Sequence, residues 1–389
     1  MSPASFPIGS AGTMRKLALA KGLLANGYGV HVISTINNGS GSCEIRNYQG
    51  ITYNCTAPNK AWGGGNLQKL GHLLSGFVNG LVFVFKDAKN HDQVLLTTNQ
   101  YDLKFSFFVW LVARISGSFL FTELNENPLI TRENLSSSRM QLRKLNVWLS
   151  LKLYDKIFVM THNIKKLLCD EYGIKRDITI LNNAVDFDRF GDSKITPLEH
   201  TIGYAGSLSY RKDSLDVLVE ALAIAKRSLP NIKLRICYFS TDTNFSQFME
   251  LVKTLKLTDS VEMIPDLPND KIPDFLASSS ILVIIRIPNQ QTEYGFPTKL
   301  VEYLASGRPV IVTPVSDIPL FLTHLRDVYI VNNIDAESVA QAICYLFNQR
   351  NADEVIGMNG KLACQIHFNP EIEAKKIATA HVKWLKQKL

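Results

Sequence analysis

The sequence has little with which to cross-link itself or to build a sulfur-ligated metal site. Its six cysteines, Cys43, Cys55, Cys169, Cys237, Cys344 and Cys364, stand far apart, and none forms a Cys-x-x-Cys pair. This argues against a disulfide framework and a cysteine zinc site, and fits reduced, cytoplasmic usage. Four Asn-x-Ser/Thr matches, at Asn38, Asn54, Asn134 and Asn244, carry no weight in that setting. Uninterrupted apolar runs are also short. A bilayer span takes about 20 residues, and "SGFVNGLVFVF" (75–85) falls well below that. "FSFFVWLVARISGSFLF" (105–121) is interrupted by Arg114 and by "SGS". It reads as a buried helix, a turn and the strand "FLFTE"; entry of an apolar face into one leaflet stays open. The opening residues lack the pattern of a signal peptide, and low-complexity tracts and repeats of solenoid period are missing.

What is present suits a packed two-domain protein. The chain has 389 residues, 46 % of them hydrophobic and 20 % charged, enough for two domains of ordinary size. Its net charge of +7 is unevenly placed. Residues 1–190 hold 21 Lys and Arg against 13 Asp and Glu, and residues 191–389 hold 21 against 22. A basic first half is either a solvated face or a surface that meets an anion such as a lipid head group. No nucleic-acid motif accompanies it, so a nucleic-acid partner is not expected.

Apolar strand candidates alternate with helical patterns along most of the chain. The first half offers "GVHVIS", "DQVLLTT", "SFLFTE", "DKIFVMT" and "DITILNN". The second offers "TIGYAGS", "KLRICYF", "VEMIPD", "SILVIIR", "RPVIVTP" and "VYIVNN", with helices near 213–228, 244–256, 271–278, 297–306 and 336–349. Continuous apolar strands joined by helices predict α/β architecture with doubly wound parallel sheets. Two such series predict two Rossmann-like domains facing across a cleft, with ligands beyond the carboxyl ends of the strands. The polar stretch "FDRFGDSKITPLEHT" (187–201) marks the break. The expected division is 1–190, 191–370, and a C-terminal helix at 371–389 that packs back toward the first domain.

Three segments carry candidate chemistry. "PIGSAGTMRKLALAKGLLANG" places Gly9 and Gly12 before a helix expected from Thr13, with Leu17, Ala20 and Leu24 on one stripe and Asn26-Gly27 closing it. Its spacing is not Gly-x-Gly-x-x-Gly. In "IGYAGSLSYRKDSLDVLVEAL" a strand ends at Gly206, and Arg211 and Lys212 sit in the turn before a helix, where a cation neutralises a diphosphate or simply faces water. In "TEYGFPTKLVEYLASGRPVIVT", Gly295-Phe296-Pro297 leads into a helix from Thr298, and Glu302 lies one turn in. There it accepts ribose hydroxyls or only answers the helix dipole.

In order and spacing, "GSLSYRKD" and "GFPTKLVEYLASGRPVI" resemble the donor half of the GT-B retaining glycosyltransferases, the group 1 or family 4 set. "LNNAVDFDRF" resembles the Asn-Gly-Val-Asp segment that ends the family's first domain, and the opening loop and "ELNENP" (123–128) resemble its acceptor-side loops. The resemblance implies a GT-B fold with an acceptor-binding first domain and a nucleotide-sugar-binding second one. It implies that Lys212, with Arg211, holds the donor diphosphate, and that Glu302 binds the ribose. Gly206, Gly295, Phe296, Pro297, Thr298 and Lys299 would line the donor. Gly9 and Gly12 would let the first loop approach, and Glu123 and Glu126 would face the acceptor. No cofactor or metal is implied; "DFD" (186–188) falls in the junction segment and is assigned none.

The sequence departs from the family pattern in three places. Tyr294 stands where the first glutamate is expected, with Glu293 one place earlier as its substitute. Ser207 stands where an arginine is common, so Arg211 is expected to supply that charge. Only "MSPA" precedes the first loop, although the doubly wound order calls for a central strand there. The expectation is that the natural chain begins upstream and this start is truncated. The implied activity is retaining transfer from a nucleotide sugar to a saccharide or lipid-linked saccharide acceptor, in surface polysaccharide or lipopolysaccharide assembly, at the inner face of the membrane. A nucleotide-sugar epimerase on the same fold and a catalytically degenerate nucleotide-binding homologue stand as alternatives.

Overall fold

The computed structural model describes residues 6–7, 9, 11–35, 44–57, 66–88, 93–99, 101–130, 136–191 and 195–388. The chain divides into two compact units, Met1–Ala184 with Pro370–Leu389, and Val185–Asn369.

Unit 1 contains α1 (Ala11–Ala25), β1 (His31–Ser34), β2 (Arg46–Tyr48), β3 (Ile51–Cys55), α2 (Asn66–Ala88), β4 (Val94–Thr98), α3 (Leu103–Ser116), β5 (Phe119–Leu124), α4 (Ser137–Lys152), β6 (Lys156–Val159), α5 (His162–Asp170) and β7 (Ile178–Ile180). Its strands form a parallel sheet ordered β4-β5-β6-β7 and a three-stranded sheet ordered β1-β3-β2. The strand candidates of the first half all form. The β2–β3 hairpin, by contrast, has no counterpart in the sequence reading. It turns through Gln49 and Gly50, both with positive φ, a two-residue turn whose twist matches that of paired strands.

The helix α1 starts at Ala11, so Gly12 and Thr13 lie within its first turn and Thr13 is buried rather than capping. Leu17 and Ala20 pack with Ile51, while Ala18 and Leu19 pack on Phe119, Phe121 and Phe158. The helix stops where expected: Gly27 takes φ +82°, and Asn26 Nδ2 donates to the Gly22 carbonyl at 2.7 Å. The last helix of the chain, numbered α15 below (Pro370–Lys388), belongs to unit 1 and brings Ile377 and Trp384 to that same core. Its Glu373 accepts from the Asn182 backbone N–H at 2.7 Å.

Unit 2 contains β8 (Thr201–Ala205), α6 (Tyr210–Asp213), α7 (Leu215–Ala225), β9 (Lys233–Tyr238), α8 (Phe245–Thr254), β10 (Val261–Pro265), α9 (Ile272–Ala277), β11 (Ile281–Ile284), α10 (Gln290–Tyr294), α11 (Thr298–Ala305), β12 (Val310–Val312), α12 (Ile318–Phe321), β13 (Tyr329–Ile330), α13 (Ala336–Asn348) and α14 (Arg350–His367), after which the chain returns to unit 1 as α15. A 3₁₀ turn spans Phe187–Phe190. All six strands are parallel, in the order β10-β9-β8-β11-β12-β13. The fully buried β11 and β12 explain the unbroken apolar runs "ILVI" and "VIV". Every strand and helix expected in the second half is present within a few residues of its expected bounds.

One close approach fixes α1 against α15. A Cβ on Gly22 would overlap the Pro370 carbonyl oxygen and crowd Ala374. Gly22→Val is therefore expected to cost about 3 kcal/mol by overpacking, read as a lower urea midpoint. An unchanged midpoint would show that the helices separate freely.

Candidate functional site

The carboxyl ends of β8 and β11 carry the two segments singled out in the sequence, and one buried carboxylate ties them together. After β8 the chain passes Gly206, and Ser209 Oγ caps α6 by accepting the Lys212 N–H at 3.1 Å. Lys212 and Arg211 thus lie on a four-residue helix rather than an open turn, with Arg211 exposed. Ser214 then takes the left-handed conformation, φ +43°, and α7 begins. This break turns Asp213 inward, where it is 1 % exposed.

Asp213 Oδ1 accepts from Arg286 Nε at 2.9 Å, and Oδ2 from Lys299 Nζ at 2.8 Å. Arg286 stands two residues past the buried end of β11 and is itself buried. Its backbone N–H donates to Thr313 Oγ1, which donates back to the Arg286 carbonyl, both at 2.9 Å. Lys299, from the first turn of α11, also donates to the Tyr204 hydroxyl at 2.8 Å and lies 4.2 Å from the Tyr204 ring centre. Burial alone would raise the Asp213 carboxyl, but Lys299 and Arg286 outweigh it and hold the carboxyl well below the usual carboxylate range. Burial pulls the Lys299 amine down to about 8, against the attraction of Asp213 and with Arg286 adding to the fall. The cluster carries one more positive charge than negative.

A second contact secures the other end of α11. Glu302, half-buried, pairs with Arg189 NH1 at 2.5 Å, while Arg189 NH2 donates to the Asn269 carbonyl at 2.8 Å. Lys299 and Glu302 are three residues apart in α11 and so share a face. The "GFP" approach is built as expected: Phe296 is buried, and Pro297 stands at the N-cap position of α11. Gly206 lies under the Lys299 amine, and a Cβ there would overlap Nζ. Glu293 is exposed on α10, a short helix capped by Asn289, whose Nδ2 also donates to the Arg211 carbonyl at 3.1 Å.

Several of these partners were not singled out in the sequence. Asp213, Arg286, Tyr204 and Arg189 all lie beside residues that were. The signal available for Arg286 was a charged residue closing the apolar run "SILVII". In "DFD", Asp186 is buried and accepts from the Asp188 N–H at 3.3 Å, a turn-capping task. Among the described residues no group of His, Cys, Asp and Glu is placed to hold a metal ion.

In unit 1, Glu123 ends β5 and is buried in an ion pair with Arg15 NH2 at 2.5 Å. Arg15 also donates to the Leu181 and Asn182 carbonyls, so Glu123 helps hold α1 to the ends of β5 and β7. Glu126 is exposed, and Gly9 and Gly12 lie just before and at the start of α1.

Residues 199–349 match the family described as Glycosyl transferases group 1. Over that stretch the chain resembles the group 1 glycosyl transferases. Over 212 residues it is 24 % identical to WcaL of Escherichia coli K12, named as a colanic acid biosynthesis glycosyltransferase; the alignment takes in 53 % of this chain and 51 % of WcaL. The chain thus spans about half the length of that curated relative. Among solved structures it resembles sucrose-phosphate synthase from Thermosynechococcus elongatus, with a TM-score of 0.74, 14 % identity, and 97 % and 94 % of the two chains covered. It also resembles Anabaena HepE, solved with UDP, with a TM-score of 0.67, 14 % identity and 98 % of each chain covered. The fold is GT-B. The matched stretch includes Lys212, Asp213, Arg286, Lys299 and Glu302, the whole cluster apart from Arg189.

Asp213→Asn would leave Arg286 and Lys299 buried without their counter-charge. Losing one partner of such a pair costs about 3–5 kcal/mol, and urea unfolding of the variant is expected to show a loss of that size. The pH dependence has a definite sign. Asp213 is held below its unfolded value, so its stabilising contribution is present above that value, about 3.9, and is lost as pH falls further.

Proposed function

We propose that the protein transfers a sugar from a nucleoside diphosphate sugar to an acceptor hydroxyl with retention at the anomeric carbon, in the assembly of cell-surface polysaccharide or lipopolysaccharide. The observation that carries this reading is the Asp213–Lys299 bond, which joins "GSLSYRKD" to "GFPTKLVEY" at one end of one sheet. The group 1 match over the same residues supports it, as does the relation to WcaL. HepE, of the same fold, is solved with UDP-glucose, and a uridine diphosphate hexose is the donor proposed here.

In this reading Lys212 and Arg211 meet the diphosphate from α6, and Lys299 meets it from α11, held by Asp213. Gly206 gives Lys299 its room. The backbone groups of Gly295, Phe296, Pro297 and Thr298 line the phosphates and sugar. Arg189 occupies Oε1 of Glu302, so the ribose hydroxyls donate to Oε2. Glu293 is the proposed sugar contact in place of the residue displaced by Tyr294.

During transfer the C1–O bond to the β-phosphate breaks, and its electron pair goes to the departing phosphate oxygen. The acceptor oxygen bonds to C1 on the same face, and its proton passes to that phosphate oxygen. No enzyme nucleophile takes part. The fixed cations stabilise the charge that builds on the leaving diphosphate, and the proposal includes no metal or other cofactor. Glu126, with Glu123 positioned by Arg15, and the loop of Gly9 and Gly12 are proposed to stand on the acceptor side. The acceptor is a saccharide or lipid-linked saccharide, met by a protein peripheral to the cytoplasmic face of the membrane; no nucleic acid is involved. Among the described residues no helix is long and apolar enough to cross a membrane.

Release of uridine diphosphate from its sugars, with and without a lipid-linked saccharide, tests the reading. Acceptor-dependent release supports transfer. Release without acceptor would make the protein an epimerase, and binding with no release a non-enzyme. Lys212→Ala is expected to lower kcat about 10- to 1000-fold, as for loss of a group that stabilises the transition state. Glu302→Gln is expected mainly to raise the donor KM. Donor binding is also expected to weaken as pH rises through about 8, where Lys299 loses its proton, and to stay level in Lys299→Arg. Full activity in Lys212→Ala and Glu302→Gln together would remove the site assignment.

A further inference from the structure

The sequence reading of 105–121 expects a buried helix, a turn and a strand and leaves entry of an apolar face into one leaflet open; in the structure α3 turns several large apolar side chains outward. It buries Ser106, Val109 and Ala113, while Phe107 and Phe108 are 45 % and 52 % exposed and Ile115 63 %. The inward side is made of small residues and includes one polar group. Ser106 Oγ lies 2.6 Å from Ser150 Oγ of α4 and 3.1 Å from the Tyr154 hydroxyl, both buried. The larger apolar side chains of α3 thus lie on its outer face, where polar ones are usual.

The neighbouring helices continue the pattern. The helix α3 touches α2 on one side, through Phe77 and Phe105 with ring centres 5.0 Å apart, and α4 on the other. On α2, Leu74, Val78 and Val82 form an exposed row at four-residue spacing that ends in Lys86. On α4, Leu142 and Leu145 are exposed, and Lys152 lies over the Trp148 ring at 3.4 Å. Monomeric soluble proteins seldom expose an apolar patch spread over three adjacent helices without a use for it.

Charge narrows the choice of occupant. Among the described side chains, the charged ones within these outward rows are Lys86, Lys104, Arg114 and Lys152, all cationic. The acidic groups nearby are engaged: Asp102 caps α3 by accepting the Lys104 N–H, Asp155 accepts from Arg114 and from the Leu120 N–H, and Glu171 pairs with Lys144. A protein partner would normally call for mixed charge at the rim. An apolar centre whose described outward charges are cationic fits anionic head groups above acyl chains.

We infer that the α2–α3–α4 face docks on an anionic phospholipid bilayer. Phe107, Phe108, Leu111 and Ile115 enter the acyl boundary, and Lys86, Lys104, Arg114 and Lys152 meet the lipid phosphates. The inference rests on the peripheral-membrane reading above and names the surface that carries it. Sedimentation without nucleotide sugar or acceptor tests it separately from the transfer reaction.

The full-length protein is sedimented with phosphatidylcholine vesicles, and with vesicles of which about a third of the lipid is phosphatidylglycerol. The expected result is binding to the anionic vesicles that weakens with salt, and a drop of about tenfold or more in Phe107→Ser/Phe108→Ser. Leu320→Ser, an exposed leucine of unit 2, serves as the control and is expected to bind like the wild type. Lys104→Glu/Arg114→Glu separates the charge contribution and is also expected to bind weakly. Thermal unfolding of each variant near the wild-type midpoint shows that the loss is not one of folding. Equal binding by the wild type and Phe107→Ser/Phe108→Ser overturns the inference. So does a wild-type dimer that sediments with neither vesicle and that Phe107→Ser/Phe108→Ser dissolves, since the face would then belong to a second copy. Vesicle binding with no sugar transfer would leave this inference standing and remove the transfer reading; the reverse result would remove only this one.

Discussion

The buried carboxylate of Asp213 is the constraint on which the arrangement of unit 2 depends. It draws Arg286 from the end of β11 and Lys299 from the first turn of α11 to the loop after β8. Asp213 follows β8, whereas Arg286 and Lys299 both follow β11, its neighbour in the parallel sheet, so the carboxylate locks together two segments that the backbone ladder only sets side by side. The cost of burying three charges is met by hydrogen bonds to both carboxylate oxygens, by the Thr313 clasp on the Arg286 backbone and by the Tyr204 hydroxyl. The surplus positive charge sits at the carboxyl end of the sheet, where parallel sheets bind ligands.

The Glu302–Arg189 pair extends this logic. The helix α11 is anchored at its first turn through Lys299 and in its second through Glu302, so its orientation is fixed along its length. In unit 1 the same device appears once more, with Arg15 binding Glu123 and two carbonyls near the ends of the sheet. In both units a cation bridges loops that the sheet alone does not align.

Much of this was legible in the sequence because a parallel sheet buried on both faces writes itself as unbroken apolar runs, and "SILVIIR" and "RPVIVTP" became β11 and β12 at the expected places. The segments bearing Lys212 and Glu302 could be found because glycine, proline and a charge fall at loop-to-helix joints. The partners could not. Asp213 looks like an exposed helix-start acid next to Lys212, and only the left-handed Ser214 turns it inward. Arg189 sits in a polar junction where any charge is unremarkable. The hairpin of β2 and β3 was overlooked because its turn, Gln49-Gly50, lacks the usual asparagine or aspartate. The helix α3 was misplaced for the opposite reason: apolar residues were assumed to face the core, whereas the serine network at Ser106 and Ser150 claims that side.

The return of α15 to unit 1 also sets an order of events during synthesis. A ribosome normally lets the first-made domain finish first. Here the core around Phe119 and Phe121 lacks Ile377 and Trp384 until the final helix emerges, whereas every residue of unit 2 has by then been made. The inserted unit can complete itself while the enclosing one waits with an unfinished hydrophobic surface, so the earliest-translated half of the protein is the last to mature and the one most in need of chaperone shelter.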